Sequence, residues 1–221
     1  IYITSNYNRF KSNCIIFREN TSLFFIFMLK YLLEERNDCM LRTKDILDEK
    51  DPRVRAENTD VEFPLSLEYK NIIPEMLKHL RYSQIEKLSK KYNLRPGMGL
   101  AAPQLGINKN FFVVCYERKE GVFDDYVLIN PKVISYSEEM IYAGEGEGCL
   151  SVNREVEGIV PRHARITVEA YDLDGNKHKY RVREDLAIAF QHELDHLNGI
   201  LFVDYIDPKD PYKNAELYRE I

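Results

Sequence analysis

Residues 185–199 read Asp-Leu-Ala-Ile-Ala-Phe-Gln-His-Glu-Leu-Asp-His-Leu-Asn-Gly, and their pattern decides how the chain is organised. The apolar side chains of residues 186–190 predict a helix packed against a core. Asp185 stands where an N-cap carboxylate accepts orphan backbone N–H groups, and Gly199 where a helix ends in a left-handed residue. Inside this helix His192-Glu193-Leu194-Asp195-His196 is an H-E-x-x-H sequence. Residues i and i+4 share one face, so the two imidazoles can hold one divalent metal with the Glu193 carboxylate beside them. Two surface histidines with a coincidental glutamate is the bland alternative. An apolar helix with its own start and stop signals argues against it.

Two histidines make half of a tetrahedral site, whereas a catalytic metal takes three protein ligands and leaves a position for water or substrate. Two residues compete for the third place. Glu216, 20 residues after His196, has the separation of a His₂Glu metallopeptidase, yet residues 212–217 are charged and read as a solvated helix face. Cys149 lies in Gly144-Glu145-Gly146-Glu147-Gly148-Cys149-Leu150-Ser151, where glycines permit close backbone approach and a metal would hold the sulfur as thiolate. A buried structural thiol is the other reading of Cys149, and Cys115, within an apolar run, suits that reading better. At this level a Cys-His-His hydrolase, a Glu216 metallopeptidase and a non-catalytic metal-binding module all stand.

Outward from the helix the chain is of mixed α/β character. Ile72, Ile73, Met76, Leu77 and Leu80 recur at helical spacing, and Ile85, Leu88 and Tyr92 continue the stripe until Asn93 and Pro96 end it. Residues 111–116 and 126–129 read as strands, and the charged stretch 117–125 with Gly121 as an exposed hairpin connection. Residues 166–171 and 178–182 flank Asp172-Leu173-Asp174-Gly175-Asn176, a hairpin signal because Asp-Gly supplies a positive φ. Gly97-Met98-Gly99-Leu100-Ala101-Ala102 fits G-x-G-x-x-A, with Glu120 about 20 residues on as the acidic partner. A dinucleotide fingerprint must follow a strand and open a helix; here a charged helical stretch precedes it, and Pro103 and Gly106 break the segment after it.

Composition narrows the function. A length of 221 residues with 44% hydrophobic content suits one main domain, and a formal charge of −5 lacks the basic footprint of a nucleic-acid binder. Four cysteines, Cys14, Cys39, Cys115 and Cys149, show no close pairing, which fits a reducing compartment. The longest apolar run, residues 23–29, is far short of the roughly 20 residues a membrane span needs. Residues 1–39 read as a non-domain leader: Asn-, Ser- and Tyr-rich, without periodicity, and not begun by Met. Glu34-Glu35-Arg36 is encodable as a purine run three codons before Met40, which is ribosome-binding-site chemistry at the right distance, so the catalytic domain is expected to be residues 40–221.

Three motifs, Gly97-Met98-Gly99-Leu100-Ala101-Ala102-Pro103-Gln104, Glu147-Gly148-Cys149-Leu150-Ser151 and the helix around Gln191-His192-Glu193, stand in that order. Together they resemble peptide deformylase, most closely the subgroup of low-GC Gram-positive bacteria, over residues 40–207. The resemblance implies an α+β fold with antiparallel sheets packed around a central metal-binding helix. It implies Cys149, His192 and His196 as metal ligands, Fe²⁺ as the ion with Zn²⁺, Ni²⁺ or Co²⁺ able to replace it, and Cys149 over Glu216. Glu193 becomes the proton carrier, and the Gln104 side chain and the Leu150 N–H the oxyanion donors. Gly97 and Gly99 would pair with an extended peptide, while Met98, Ile188 and Ala189 would receive a methionine side chain. Glu147 and Arg162 form a supporting ion pair, with Asp195 and Gln191 behind the ligands. The implied activity is removal of the formyl group from the initiator methionine of nascent chains, by a cytoplasmic monomer with transient ribosome contact. One departure is the stretch from Val152 to Gly158, longer than in the subgroup.

Overall fold

The computed structural model describes residues 40–221; the expectations for the leader, its cysteines and its apolar run lie outside the described residues. Phe111-Phe112-Val113-Val114-Cys115 carries no polar alternation because both faces of its strand are covered, and all five side chains are fully buried. This strand, β2 (Phe111–Lys119), belongs to a five-stranded antiparallel sheet. Its neighbours are β1 (Gly99–Ala101) and β3 (Val122–Tyr136), followed by β6 (Arg165–Tyr171) and β7 (Lys177–Arg183), in the order β1-β2-β3-β6-β7. Phe111, Val113 and Cys115 pack with Ile73, Met76 and Leu80 of helix α1 (Leu67–Gln84). Phe112 and Val114 turn the other way, to Ala187 and Phe190 of the H-E-x-x-H helix, α3 (Glu184–Leu197). The Phe112 and Phe190 rings meet edge to face with centroids 5.6 Å apart. Period-2 side chains thus give each helix its own half of the core.

A second sheet of three short strands, β4 (Met140–Tyr142), β5 (Arg162–His163) and β8 (Arg219–Glu220), runs in the order β5-β4-β8. The fold is α+β, as the resemblance implied, with one addition: β8 lies parallel to β4, so this small sheet is mixed.

The apolar spacing of residues 72–92 forms two helices, α1 and α2 (Glu86–Tyr92), because Ile85 takes extended dihedrals between them. Two boundaries differ from the sequence reading. Residues 117–125 are not a loose connection: Glu117 faces Phe123 and Lys119 faces Val122, leaving a turn at Glu120 and Gly121. Backbone ladder bonds continue past the core without needing apolar side chains there. Asp185 is not the N-cap of α3. Arg183 is still paired with Arg165 in the sheet, and Glu184, at φ +52°, turns the strand directly into the helix while its N–H donates to the Ala164 carbonyl at 3.0 Å. At the other end Gly199 has φ +69°, and a Cβ there would sit 2.8 Å from the Arg55 carbonyl oxygen.

Candidate metal centre

Helix α3 presents His192, Glu193 and His196 on its buried face, and the loop after β4 brings Cys149 against them. One ligating atom from each of Cys149, His192 and His196 lies within 4.8 Å of the others. The Cys149 Sγ is 3.3 Å from His196 Nε2. His192 Nδ1 donates to Glu147 Oε2 at 2.8 Å, because a carboxylate can only accept, and this leaves Nε2 for the thiolate side. Glu147 is held in turn by Arg162, whose Nε and Nη2 donate to its two oxygens at 2.7 and 3.0 Å. Arg162 Nη1 reaches Asp195 Oδ2 at 2.5 Å, and Tyr205 donates to the other Asp195 oxygen at 3.0 Å. Glu147 of the loop, which supports His192, and Asp195 of the helix are therefore joined through one buried guanidinium. Gln191 works elsewhere: its amide brackets the His163 backbone, accepting from N and donating to O at 2.9 Å each, and so fixes β5, which carries Arg162.

The electrostatics separate two neighbouring carboxyls. Burial pushes Glu193 up to about 7. Burial opposes the charge of Glu147 as well, but the hydrogen bonds from His192 and Arg162 prevail and hold it at about 2. Burial, then repulsion from His192, lowers His196, favouring the neutral imidazole that a metal requires. Glu193 Oε2 and His196 Nδ1 are buried without a protein partner. A soft thiolate, two imidazoles and an unpartnered carboxylate oxygen beside them make a donor set suited to a divalent transition metal with water at its open position.

A cleft of about 370 Å³ opens onto this cluster, lined among others by Gly97, Met98, Gly99, Gln104, Leu150, Ile188 and Ala189. Gly99 lies in β1, an edge strand, and a Cβ on it would overlap the Glu193 carboxylate. Gly97 differs from expectation. Its N–H donates to Ser83 Oγ at 3.2 Å and its carbonyl accepts from Gln84 Nε2 at 3.1 Å, so α1 already engages its backbone groups. The Gln104 amide accepts from Ala101 N at 2.8 Å and donates to Ser151 Oγ at 3.1 Å, with Cys149 Sγ at 3.6 Å. Glu216 is exposed on a 3₁₀ turn, Ala215–Leu217, and is not part of the cluster.

Sequence reading missed Arg95. Its Nη2 donates to the Cys149 and Val152 carbonyls at 3.0 Å each, clamping the loop that carries the thiol. The longer stretch after Ser151 is tied down by Asn153 to Asp48 and by Arg154 to Glu49. No local pattern around Arg95 signals these bonds, since its partners are backbone groups more than 50 residues away.

The family model described as polypeptide deformylase matches residues 43–212. The chain belongs to the peptide deformylase family. It is 50% identical over 175 residues to the peptide deformylase of Macrococcus caseolyticus, covering 79% of this chain and 95% of that relative. Identity to the peptide deformylase of Oceanobacillus iheyensis is 46% over 177 residues, covering 80% and 97% respectively. The crystal structure of peptide deformylase from Thermotoga maritima superposes with a TM-score of 0.58 at 31% identity, covering 76% of this chain and 99% of that one. Deformylases are metal-dependent hydrolases of N-formylated nascent peptides, and that is the activity of this chain.

Proposed function

We propose that Cys149, His192 and His196 hold the metal and that Glu193 carries the proton in deformylation of N-formylmethionyl peptides. The observation that carries this reading is the Glu193 carboxylate, buried and unpartnered at Oε2 beside three converging ligand atoms. A divalent ion held by these ligands supplies Lewis acidity, activating water and polarising the formyl oxygen near neutral pH. Glu193 takes a proton from the attacking water and returns it to the departing methionine nitrogen, so one carboxyl is base and then acid. Formate and a free N-terminus leave.

Charge that develops on the formyl oxygen is met by the Gln104 amide and the Leu150 N–H. Gln104 can serve by turning its donor from Ser151 toward substrate. The edge of β1 at Gly99 accepts the peptide as an added strand, which reads no sequence and suits an enzyme acting on many nascent chains. Gly97 shapes the cleft beside it: a Cβ there would press within 2.9 Å of Leu150 Cδ1. Met98, Ile188 and Ala189 receive the methionine side chain. Glu147, Arg162 and Asp195 orient the ligands. The family resemblance makes Fe²⁺ the working ion, replaceable by Zn²⁺, Ni²⁺ or Co²⁺, and a thiolate with two imidazoles is a donor set that divalent transition metals accept. The same reading makes residues 40–221 the catalytic domain, monomeric and cytoplasmic, with transient ribosome contact; among the described residues no helix is long and apolar enough to cross a membrane. Metal analysis separates the ligand assignments: Cys149→Ala should lose bound metal, whereas Glu216→Ala should keep it and its turnover on a formyl-Met peptide. Metal retained in Cys149→Ala but lost in Glu216→Ala would reverse the assignment.

A further inference from the structure

The last strand of the chain reaches the wall of the cleft. β8 runs parallel to β4, with Arg219 beside Ile141 and Glu220 beside Tyr142. Ile221 then continues the pairing, its N–H donating to the Tyr142 carbonyl at 3.0 Å and its carbonyl accepting from Gly144 N at 3.0 Å. Gly144 opens the loop that leads to Cys149, and a side chain there would overlap the Glu220 carboxylate, so β8 lies directly against the root of that loop. Arg219 ties the strand to the other half of the site. Its Nη2 donates to both oxygens of Glu184 at 2.9 and 3.1 Å, and its Nε to Glu139 at 2.9 Å. Glu184 is the left-handed residue that starts α3. β8 therefore straps the start of the metal-ligand helix to the strand leading into the thiol loop.

The Ile221 side chain packs against the buried group Ile141, Ala164 and Ile188, alongside Ala143. Ala143 and Ile188 are themselves lining residues of the cleft. Ile221 thus stands behind the wall that faces the substrate side chain, without entering the cleft lining. We propose that Ile221 is a positioning residue for substrate selection: through Ile188 and Ala143 it sets the width of the pocket that accepts the methionine side chain. This rests on the reading that Ile188 borders that pocket. Removing the Ile221 side chain lets the wall relax outward, so a long unbranched side chain loses close contact while a short one, which never filled the pocket, loses little.

The test compares formyl-Met and formyl-Ala peptides on the metal-loaded full chain carrying Ile188→Ala, Ile221→Ala or Ile221→Leu. For Ile221→Ala we expect metal content and kcat on the formyl-Met peptide to stay at wild-type level. KM for that peptide should rise about fivefold, and the preference for Met over Ala should narrow by the same factor. Ile221→Leu, of equal volume, should restore both. Ile188→Ala should narrow the preference more strongly, since it removes the wall itself. If Ile188→Ala leaves the preference unchanged, the pocket reading fails and the inference with it. If Ile188→Ala narrows the preference while Ile221→Ala does not, or if Ile221→Ala lowers kcat and metal content with the preference intact, the selection role of Ile221 is overturned and only a structural one remains.

Discussion

At the scale of single residues the site is a set of charges kept apart by their surroundings. Glu147 and Glu193 both neighbour the ligand His192, yet one is held ionised at about 2 and the other pushed up to about 7. The difference is partners: Glu147 receives His192 and Arg162, while Glu193 Oε2 receives nothing from the protein. Glu147→Gln should therefore weaken metal binding by about 10- to 100-fold, because the amide orients His192 poorly and leaves the buried Arg162 with Asp195 as its remaining carboxylate partner. Chelator competition measures this, and unchanged metal affinity would remove Glu147 from the supporting role. Gly99 is governed by space. Gly99→Ala puts a methyl into the Glu193 carboxylate, and we expect deformylation to fall on the order of tenfold or more with metal retained. The H-E-x-x-H spacing made the helix ligands legible in the sequence, and the glycine-flanked Cys149 became legible only through motif order. Arg95 was not legible, because backbone carbonyls brought near by folding leave no trace in the residues that bear them.

At the scale of elements, α3 is both core and catalytic platform. Its apolar face anchors on Phe190, whose ring meets Phe112, Tyr126 and Tyr180 within centroid distances of 5.5 to 6.3 Å. Phe190→Ala should cost about 3–5 kcal/mol of stability. A denaturant titration measures it, and a loss below about 1 kcal/mol would mean the helix is held elsewhere. The existence of this helix, the hairpin of β6 and β7 and the doubly covered strand β2 were readable from apolar spacing and from Asp174-Gly175. Their limits were less so. Asp185 is an ideal N-cap type, yet the strand pairing of Arg183 with Arg165 runs up to the helix and displaces its start. Residues 117–125 look like a loop because they are charged, but strand pairing is a backbone property and carries them into the hairpin. β8, which no sequence signal marked, is held by partners about 80 residues away on β4.

At the scale of the whole molecule, α1 closes the face of the sheet opposite the metal centre and carries His79, a fully buried imidazole. His79 Nδ1 donates to the Leu41 carbonyl at 3.0 Å, while Nε2 has no partner. Burial depresses its titration below 6.5, outweighing the Leu41 bond that favours the charged ring. The unfolded chain then takes up the proton first. This contribution to stability is complete above pH 6.5 and is lost as pH falls from there through the folded-state value. Thermal unfolding of wild type should weaken from pH 7.5 to 5, and His79→Gln should flatten that part of the profile while lowering stability at pH 7.5. Parallel profiles for the two proteins would contradict the assignment of His79 as a buried neutral ring.

The central claim, that a single carboxylate moves the proton in deformylation, is tested most directly by turnover of a formyl-Met peptide in Glu193→Gln with metal content measured on the same sample. Glutamine keeps the shape and removes the base. The account predicts full metal occupancy with kcat lower by on the order of 10³-fold or more. Wild-type turnover in a metal-loaded Glu193→Gln protein would contradict it.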